Sequence, residues 1–215
     1  MRETCFWYIL DGGNELLFYM APDRKGAGIF GERKKSMRIR PYIESKDFEH
    51  VEQWIDTEKI HALWCAGLIP YPVTRQNLRI LLEKNAEDWT DSAYVATEDD
   101  GSVTGFFCYS VNTENNEGFL KLVVVDPAKR GRGYGKRMLK LALQYAFDLT
   151  GAEQVQINVF TENSAARSCY EKIGFKERSL TEHAFCYRGE FWGRYNLVIK
   201  RKDVKGGFDE IHPSV

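Results

Sequence analysis

Between Val123 and Lys136 the chain reads VVVDPAKRGRGYGK. A β-rich apolar run is followed by a proline turn, and then by three alternating glycines set among basic residues. A helical pattern begins just beyond, at Met138. This is the layout of a strand that ends in a pyrophosphate-cradling loop at a helix N-terminus. Backbone N–H groups there converge on one concavity and the helix dipole adds positive potential. Glycines let phosphate oxygens approach the backbone with no Cβ in the way.

Other glycine-loop chemistries compete for these residues. A dinucleotide fingerprint, G-x-G-x-x-G, is met by Gly131 and Gly133 but has Lys136 in its third position. A P-loop is met by Gly135-Lys136, but Arg130 replaces its first glycine and Arg137 its hydroxyl residue. What remains is R-x-x-G-x-G from Arg130 to Gly135, with Arg130, Arg132 and Lys136 supplying charge. Two further readings are a plain turn with solvated arginines and an RGG-like RNA contact in which Tyr134 stacks on a base.

Stepping along the chain gives the elements that must position this loop. A strand is expected over 37–43, followed by helices at 46–55, 57–65 and 74–85. Strands are expected at 92–98, 103–111 and 117–125, with turn signals at Asp99-Asp100-Gly101 and from Asn112 to Gly118. The run at 117–125 is nearly continuous in apolar residues, as in a central strand covered on both faces, and Lys121 interrupts it. The helix at 133–149 carries Met138, Leu141, Ala142, Tyr145 and Leu149 on one face, with Lys136, Lys140 and Gln144 away from it. A strand at 154–160 follows. A helix at 164–173 then buries Ala166, Cys169, Tyr170 and Ile173 and ends at Gly174. A last strand is expected at 194–200. The sum is an α/β fold, a mixed sheet with helices on both faces.

From Asn163 the chain reads NSAARSCYEKIGF. The spacing N-x-x-A-x-x-x-Y-x-x-x-G-F follows the loop at the distance that makes the ordered pair resemble the GNAT superfamily of acetyl-CoA-dependent N-acetyltransferases. The resemblance covers 37–200. The helix-rich stretch at 46–86 and the C-terminal hairpin region look like the branch that acetylates protein N-termini. The resemblance implies that strands 117–125 and 154–160 are parallel neighbours that splay apart. Pantetheine would lie in the gap against the backbone of Val123 and Val125, with the pyrophosphate on Arg130, Gly131, Arg132, Gly133, Tyr134, Gly135 and Lys136. Asn163 would bond the pantetheine arm, although the same residue is also a simple N-cap. A backbone N–H at Val124 or Val125 would stabilise the oxyanion. The family places a tyrosine where Tyr170 stands, near the coenzyme sulfur. A phenol with pKa about 10 suits a general acid for a departing thiolate; otherwise Tyr170 is core.

Direct transfer needs no covalent intermediate, so Cys169 is read as packing. The base is open between Glu117, Glu162, His61, His183 and water. The acceptor pocket is expected from 60–75 and the C-terminal strands, where His61, Trp64, Tyr71 and Trp192 are available. No dense acidic cluster of the kind a polyamine or aminoglycoside site needs is visible, which favours a peptide N-terminus. A small-molecule amine (polyamine or antibiotic) and a non-catalytic acetyl-CoA sensor are the alternatives.

Composition sets the wider limits. The 215 residues carry a formal net charge of −1, with 43% hydrophobic and 28% charged residues, so bulk charge argues for neither nucleic acid nor membrane partners. The five cysteines are scattered without a CxxC pair, so neither a disulfide framework nor a metal site is expected. Reduced thiols point to a cytoplasmic protein. The resemblance implies an amine-bearing acceptor as its partner, and the chain is expected to be a monomer or homodimer. Residues 1–36 are glycine-rich and aperiodic. Gly31 to Lys35 is also what purine-rich codons of a ribosome-binding site would encode, so Met37 is the expected initiator and 1–36 an extension or translated leader. The acetyltransferase domain is then 37–202 and the tail 203–215. Peptides from 1–36 at normal abundance in mass spectra of the native protein would end the leader reading.

Overall fold

The computed structural model describes residues 36–208; the expected leader and the end of the tail lie outside the described residues. Seven strands form one sheet: β1 (Met37–Pro41), β2 (Ser92–Glu98), β3 (Val103–Asn112), β4 (Glu117–Val125), β5 (Gln154–Phe160), β6 (Lys176–Tyr187) and β7 (Glu190–Lys200). Their order is β1-β2-β3-β4-β5-β7-β6. The helices are α1 (Glu44–Trp54), α2 (Glu58–Cys65), α3 (Arg75–Trp89), α4 (Tyr134–Asp148) and α5 (Ser164–Ile173). Among the described residues, no helix is long and apolar enough to cross a membrane.

Each face of the sheet has its own core. On one side α4 and α5 cover Tyr94, Phe107, Leu120, Val155, Ile157 and Leu197. On the other, α1 to α3 bury Phe48, Val51, Trp54 and Leu78 against Val95, Phe106, Cys108 and Val124. Local signals explain where the helices start. The Thr74 side chain accepts from the Asn77 N–H while Asn77 accepts from the Thr74 N–H, a capping box. Asp47, fully buried, accepts two bonds of 2.7 Å from Arg40 and one from the Ile43 N–H, tying α1 to β1.

Several expectations are corrected by the fold. β6, the first arm of the C-terminal hairpin region, is given no range by the sequence, and β7 begins four residues earlier than 194. β6 is an edge strand exposed along much of its length, so no apolar alternation marks it; it turns into β7 through Arg188 and Gly189, both at positive φ. In α4, Lys140 is buried, its ammonium reaching the Gly207 carbonyl, whereas Leu149 is half exposed. In α5, Ala166 and Cys169 are only partly buried, because that face of the helix borders a cavity. The start of the expected tail folds back: Val204 is buried, the Lys205 N–H donates to the Ile173 carbonyl at 2.8 Å, and Phe208 packs near Phe147.

Candidate active site

Among the described residues one pair is parallel, β4 with β5, and it is joined only from Glu117–Gln154 to Leu120–Ile157. Beyond it the strands part. The cause lies in β4, where Leu122 takes φ 51° and the β3 register slips between Phe106 and Cys108. This bulge puts Lys121 and Leu122 on the same face of the sheet: Lys121 is in register with Cys108, and both Cys108 and Leu122 belong to the α1–α3 core. The Trp64 indole N–H clamps the bulge, donating to the Leu122 carbonyl at 2.8 Å. Trp64 thus holds the strand open, a role that only the 58-residue separation conceals.

A cavity of about 600 Å³ fills the gap. It is bordered by Val123, Val124, Val125, Arg130, Gly131, Gly133, Gly135, Lys136, Asn163 and Tyr170, so ten of the twelve expected site residues meet there. The Asp126 N–H bonds the Thr104 carbonyl. Alternation along the antiparallel ladder therefore turns the Val124 amide towards β3 and the edges of Val123 and Val125 towards the gap. Of the two amides considered for the oxyanion, Val125 faces the cavity and Val124 does not. The Val125 carbonyl accepts from Arg130 Nε at 3.1 Å.

Arg132 is exposed and Tyr134 points elsewhere. Tyr134 donates its hydroxyl to Glu98 at 3.0 Å, and its ring is flanked by the Lys129 and Arg137 cations. These cations flank the ring on which the RNA reading would stack a base. Lys129 pairs with the same buried Glu98, and Asp126 caps the short turn Pro127–Lys129 through the Ala128 N–H. This knot, which the sequence reading missed, anchors both ends of the loop. Gly133, the N-cap of α4, has φ 83°, a left-handed conformation that side chains rarely adopt. Tyr134→Phe removes a hydrogen bond to a charged group, worth about 1.5 kcal/mol. Calorimetric titration should find acetyl-CoA binding weakened by up to about tenfold.

Tyr170 is buried on α5, its ring 6.0 Å from that of Phe175. Its hydroxyl has no hydrogen-bond partner among the described residues. Burial, and then the neighbouring Cys169, push its pKa up. Burial also raises the Cys169 thiol, which keeps it a poor nucleophile. Asn163 caps α5, its Oδ1 accepting from the Ala166 N–H at 3.2 Å, and it also borders the cavity.

None of the four expected base side chains reaches this cavity. Glu117 sits at the closed end of β4, paired with Arg178 at 2.5 Å. Glu162 is exposed, and His183 lies on β6 with its ring 5.1 Å from that of Phe191. His61 is buried on the far side of α2, with Nε2 3.3 Å from the Cys65 sulfur. It borders a second cavity of about 270 Å³ with Tyr71, Phe185, Tyr187 and the Glu58–Arg188 pair. That cavity joins the two segments expected to form an acceptor pocket. Trp192 is instead core, packed on Phe160, Phe185 and Tyr187. Burial lowers the His61 pKa, so below about pH 6.5 the unfolded chain takes up a proton that the folded one refuses. Stability should fall as pH drops through that point. Urea midpoints at pH 5 and pH 7.5 should differ less in His61→Gln than in the parent.

The geometry matches what known proteins display. The family model described as "Acetyltransferase (GNAT) family" matches residues 48–175. The spermidine N(1)-acetyltransferase of Escherichia coli (strain K12) is 26% identical over 165 residues, 76% of this chain and 86% of that protein. The mycothiol acetyltransferase of Streptomyces avermitilis is 32% identical over 98 residues, but those cover only 32% of that protein. Among solved structures, spermidine N-acetyltransferase from Vibrio cholerae in complex with CoA and spermine superposes with a TM-score of 0.67 at 18% identity, covering 78% of this chain and 97% of that one. With a splayed parallel pair, a glycine loop at the α4 N-terminus and a family match over more than half its length, the chain belongs to the GNAT acetyltransferase family.

Proposed function

We propose that this N-acetyltransferase moves the acetyl group of acetyl-CoA directly to a primary amine of a small molecule, and that the gap between β4 and β5 holds the coenzyme. The observation that carries the reading is the convergence on one cavity of the Val125 backbone, the α4 N-terminus and the Tyr170 phenol. The fit is specific. The open strand edges suit an amide-bearing arm, and Arg130 and Lys136 beside an α4 N-terminus suit a pyrophosphate. Bound there, the coenzyme supplies a thioester, an acyl group activated towards an amine. The chain's own part is positional and acid–base. The Val125 N–H faces the gap, where it can donate to a carbonyl oxygen that gains charge. Tyr170 holds a proton at its phenol oxygen for the departing sulfur. With no carboxylate or imidazole among the described cavity residues, water is the proton acceptor that fits.

A small-molecule acceptor is favoured over a protein N-terminus by the names of the relatives, which act on spermidine and mycothiol. The second cavity supports the same choice: it is small, and Glu58 and Arg188 bridge α2 to the β6–β7 turn beside it. Unpaired Cys65, Cys108, Cys169 and Cys186 agree with a reducing, cytoplasmic setting. The test is release of free CoA thiol from acetyl-CoA across polyamines, amino sugars, aminoglycosides and peptide N-termini. Turnover confined to small amines is the expected result. Turnover on peptides alone would overturn the acceptor class, and acetyl-CoA binding without any turnover would favour a sensor.

A further inference from the structure

A polarised chain of side-chain hydrogen bonds ends at the main cavity. On β5, Val155, Ile157 and Val159 face the α4–α5 core, so Gln156 and Asn158 lie on the α1–α3 side of the sheet. Asn158 is the first residue of β5 beyond the parallel ladder, where the gap opens, and it borders the cavity together with Ile60, Leu63 and Trp64 of α2. The loop, α4 and α5 are taken by the coenzyme in the reading above, which leaves this α2 side to the acceptor. Trp64 spends its indole N–H on Leu122, and the Lys121 ammonium is drawn away to Asp91. Among the described residues, Asn158 is the polar side chain on that wall with hydrogen-bonding capacity to spare.

The far end of the chain fixes its sense, because a guanidinium can only donate and a carboxylate can only accept. Arg178 donates from Nε to Asn196 Oδ1 at 2.6 Å, from Nη1 to Glu117 Oε1 at 2.5 Å and from Nη2 to Gln156 Oε1 at 2.7 Å. With both amide oxygens held by Arg178, both amide nitrogens must face elsewhere. Gln156 Nε2 donates to Glu117 Oε2 at 3.3 Å. Asn196 Nδ2 donates to Gln156 Oε1 at 2.8 Å and to Asn158 Oδ1 at 2.9 Å. Asn196 stands directly opposite Asn158 in the β5–β7 ladder. The Asn158 oxygen therefore leans towards β7, and the other branch of the short side chain, Nδ2, is left on the side of the gap. Its N–H groups bond no described residue.

We propose that Asn158 is a specificity-determining residue for the acceptor: it presents N–H donors and selects primary amines that carry a hydrogen-bond-accepting oxygen (hydroxyl, carbonyl or carboxylate) over diamines and polyamines, whose second ammonium can only donate. This rests on the transferase reading and sharpens its acceptor class. A donor set against a donor leaves both groups unpaired, which costs more than a merely missing contact. Asn196 touches no acceptor and is a positioning residue, since it decides which end of the Asn158 carboxamide the cavity sees. Glu117 and Arg178, at the closed end of β4, set Asn196 in turn.

The test compares amino alcohols, ω-amino acids and diamines of matched chain length by thiol release, with their affinity for CoA-saturated protein measured by calorimetry alongside. The parent should favour the oxygen-bearing amines by about tenfold or more, because a site built to hydrogen-bond a substrate group rejects an analogue that cannot complete the bond. The decisive variant is Asn196→Asp. It keeps the pairing with Arg178 but turns the donor facing Asn158 into an acceptor. Asn158 then gives its Nδ2 to the new carboxylate and its oxygen to the cavity, so the preference should invert towards diamines. A merely structural role for Asn196 would lower all acceptors alike. Asn158→Asp, which replaces the donor itself, should move the ratio the same way. A parent that prefers diamines, or an unchanged ratio in either folded variant, overturns the proposal. If acetyl-CoA binds but no acceptor is turned over, the transferase reading falls, and the ratio of affinities still decides the selection.

Discussion

Tyr170→Phe should lower kcat by about tenfold or more, the low end expected for a lost general acid, while acetyl-CoA affinity holds. The substitution isolates the chemistry. Phenylalanine keeps the ring against Phe175, and the hydroxyl it deletes bonds no described residue, so the folded state loses little. The direction of the pKa shift matters for the pH profile. Burial raises the phenol above its ordinary value near 10, and a raised acid keeps its proton as pH climbs. Tyr170 therefore stays a competent donor across the usual assay range, and kcat should show no fall from its titration up to about pH 9. Stopped-flow or steady-state thiol release from pH 6 to 9 checks both points. An unchanged kcat in the Phe variant would remove Tyr170 from the mechanism. Cys169→Ala should stay active, because a partly buried thiol with a raised pKa next to that tyrosine is a poor nucleophile.

The largest effect on stability is expected from Gly174→Ala. Gly174 ends α5 with φ 127°, outside the comfortable range of any side chain. A Cβ built there lies 2.1 Å from the backbone oxygen of Asp203. That oxygen belongs to the segment after β7, which is held by the Lys205 bond to Ile173 and by buried Val204. Main chain so anchored yields only by peeling away from α5. Overpacking costs about 1–3 kcal/mol and the strained backbone about 1–3 kcal/mol more. A loss of about 3 kcal/mol should lower Tm by about 6–12 °C in a chain of this size. Gly101→Ala is the control: φ is 82° there too, but nothing lies within 4 Å. A thermal melt of Gly174→Ala that matches the control would mean that residues 203–208 do not pack as described.

Gly174 also marks how far the sequence could be read. That a glycine ends α5 follows from local chemistry, because the apolar spacing from Ala166 to Ile173 sets the helix and only glycine suits its exit. That Asp203 crosses over it does not follow, because contacts between residues 29 apart leave no local mark. The glycine loop before α4 behaves alike. Its glycines, its arginines and its place between a buried strand and an amphipathic helix are local patterns, and the cavity gathers most of them. Glu98, which ties down Lys129 and Tyr134, lies about thirty residues upstream and looked like an ordinary strand end.

What the amino-acid sequence determined by itself was the family, the order of most elements and most of the residues that border the main cavity, since each depends on spacings within one strand, loop or helix. The tertiary structure alone decided where β4 bulges, at Leu122, whose left-handed φ is accompanied by a hydrogen bond from Trp64, 58 residues away, to its carbonyl. It alone removed Glu117, Glu162, His61 and His183 from the main cavity, since distance from a site is a property of the packed sheet. It also turned Lys121 from an interruption in an apolar strand into a held charge, because Asp91 is thirty residues away in the chain and 2.5 Å away in space.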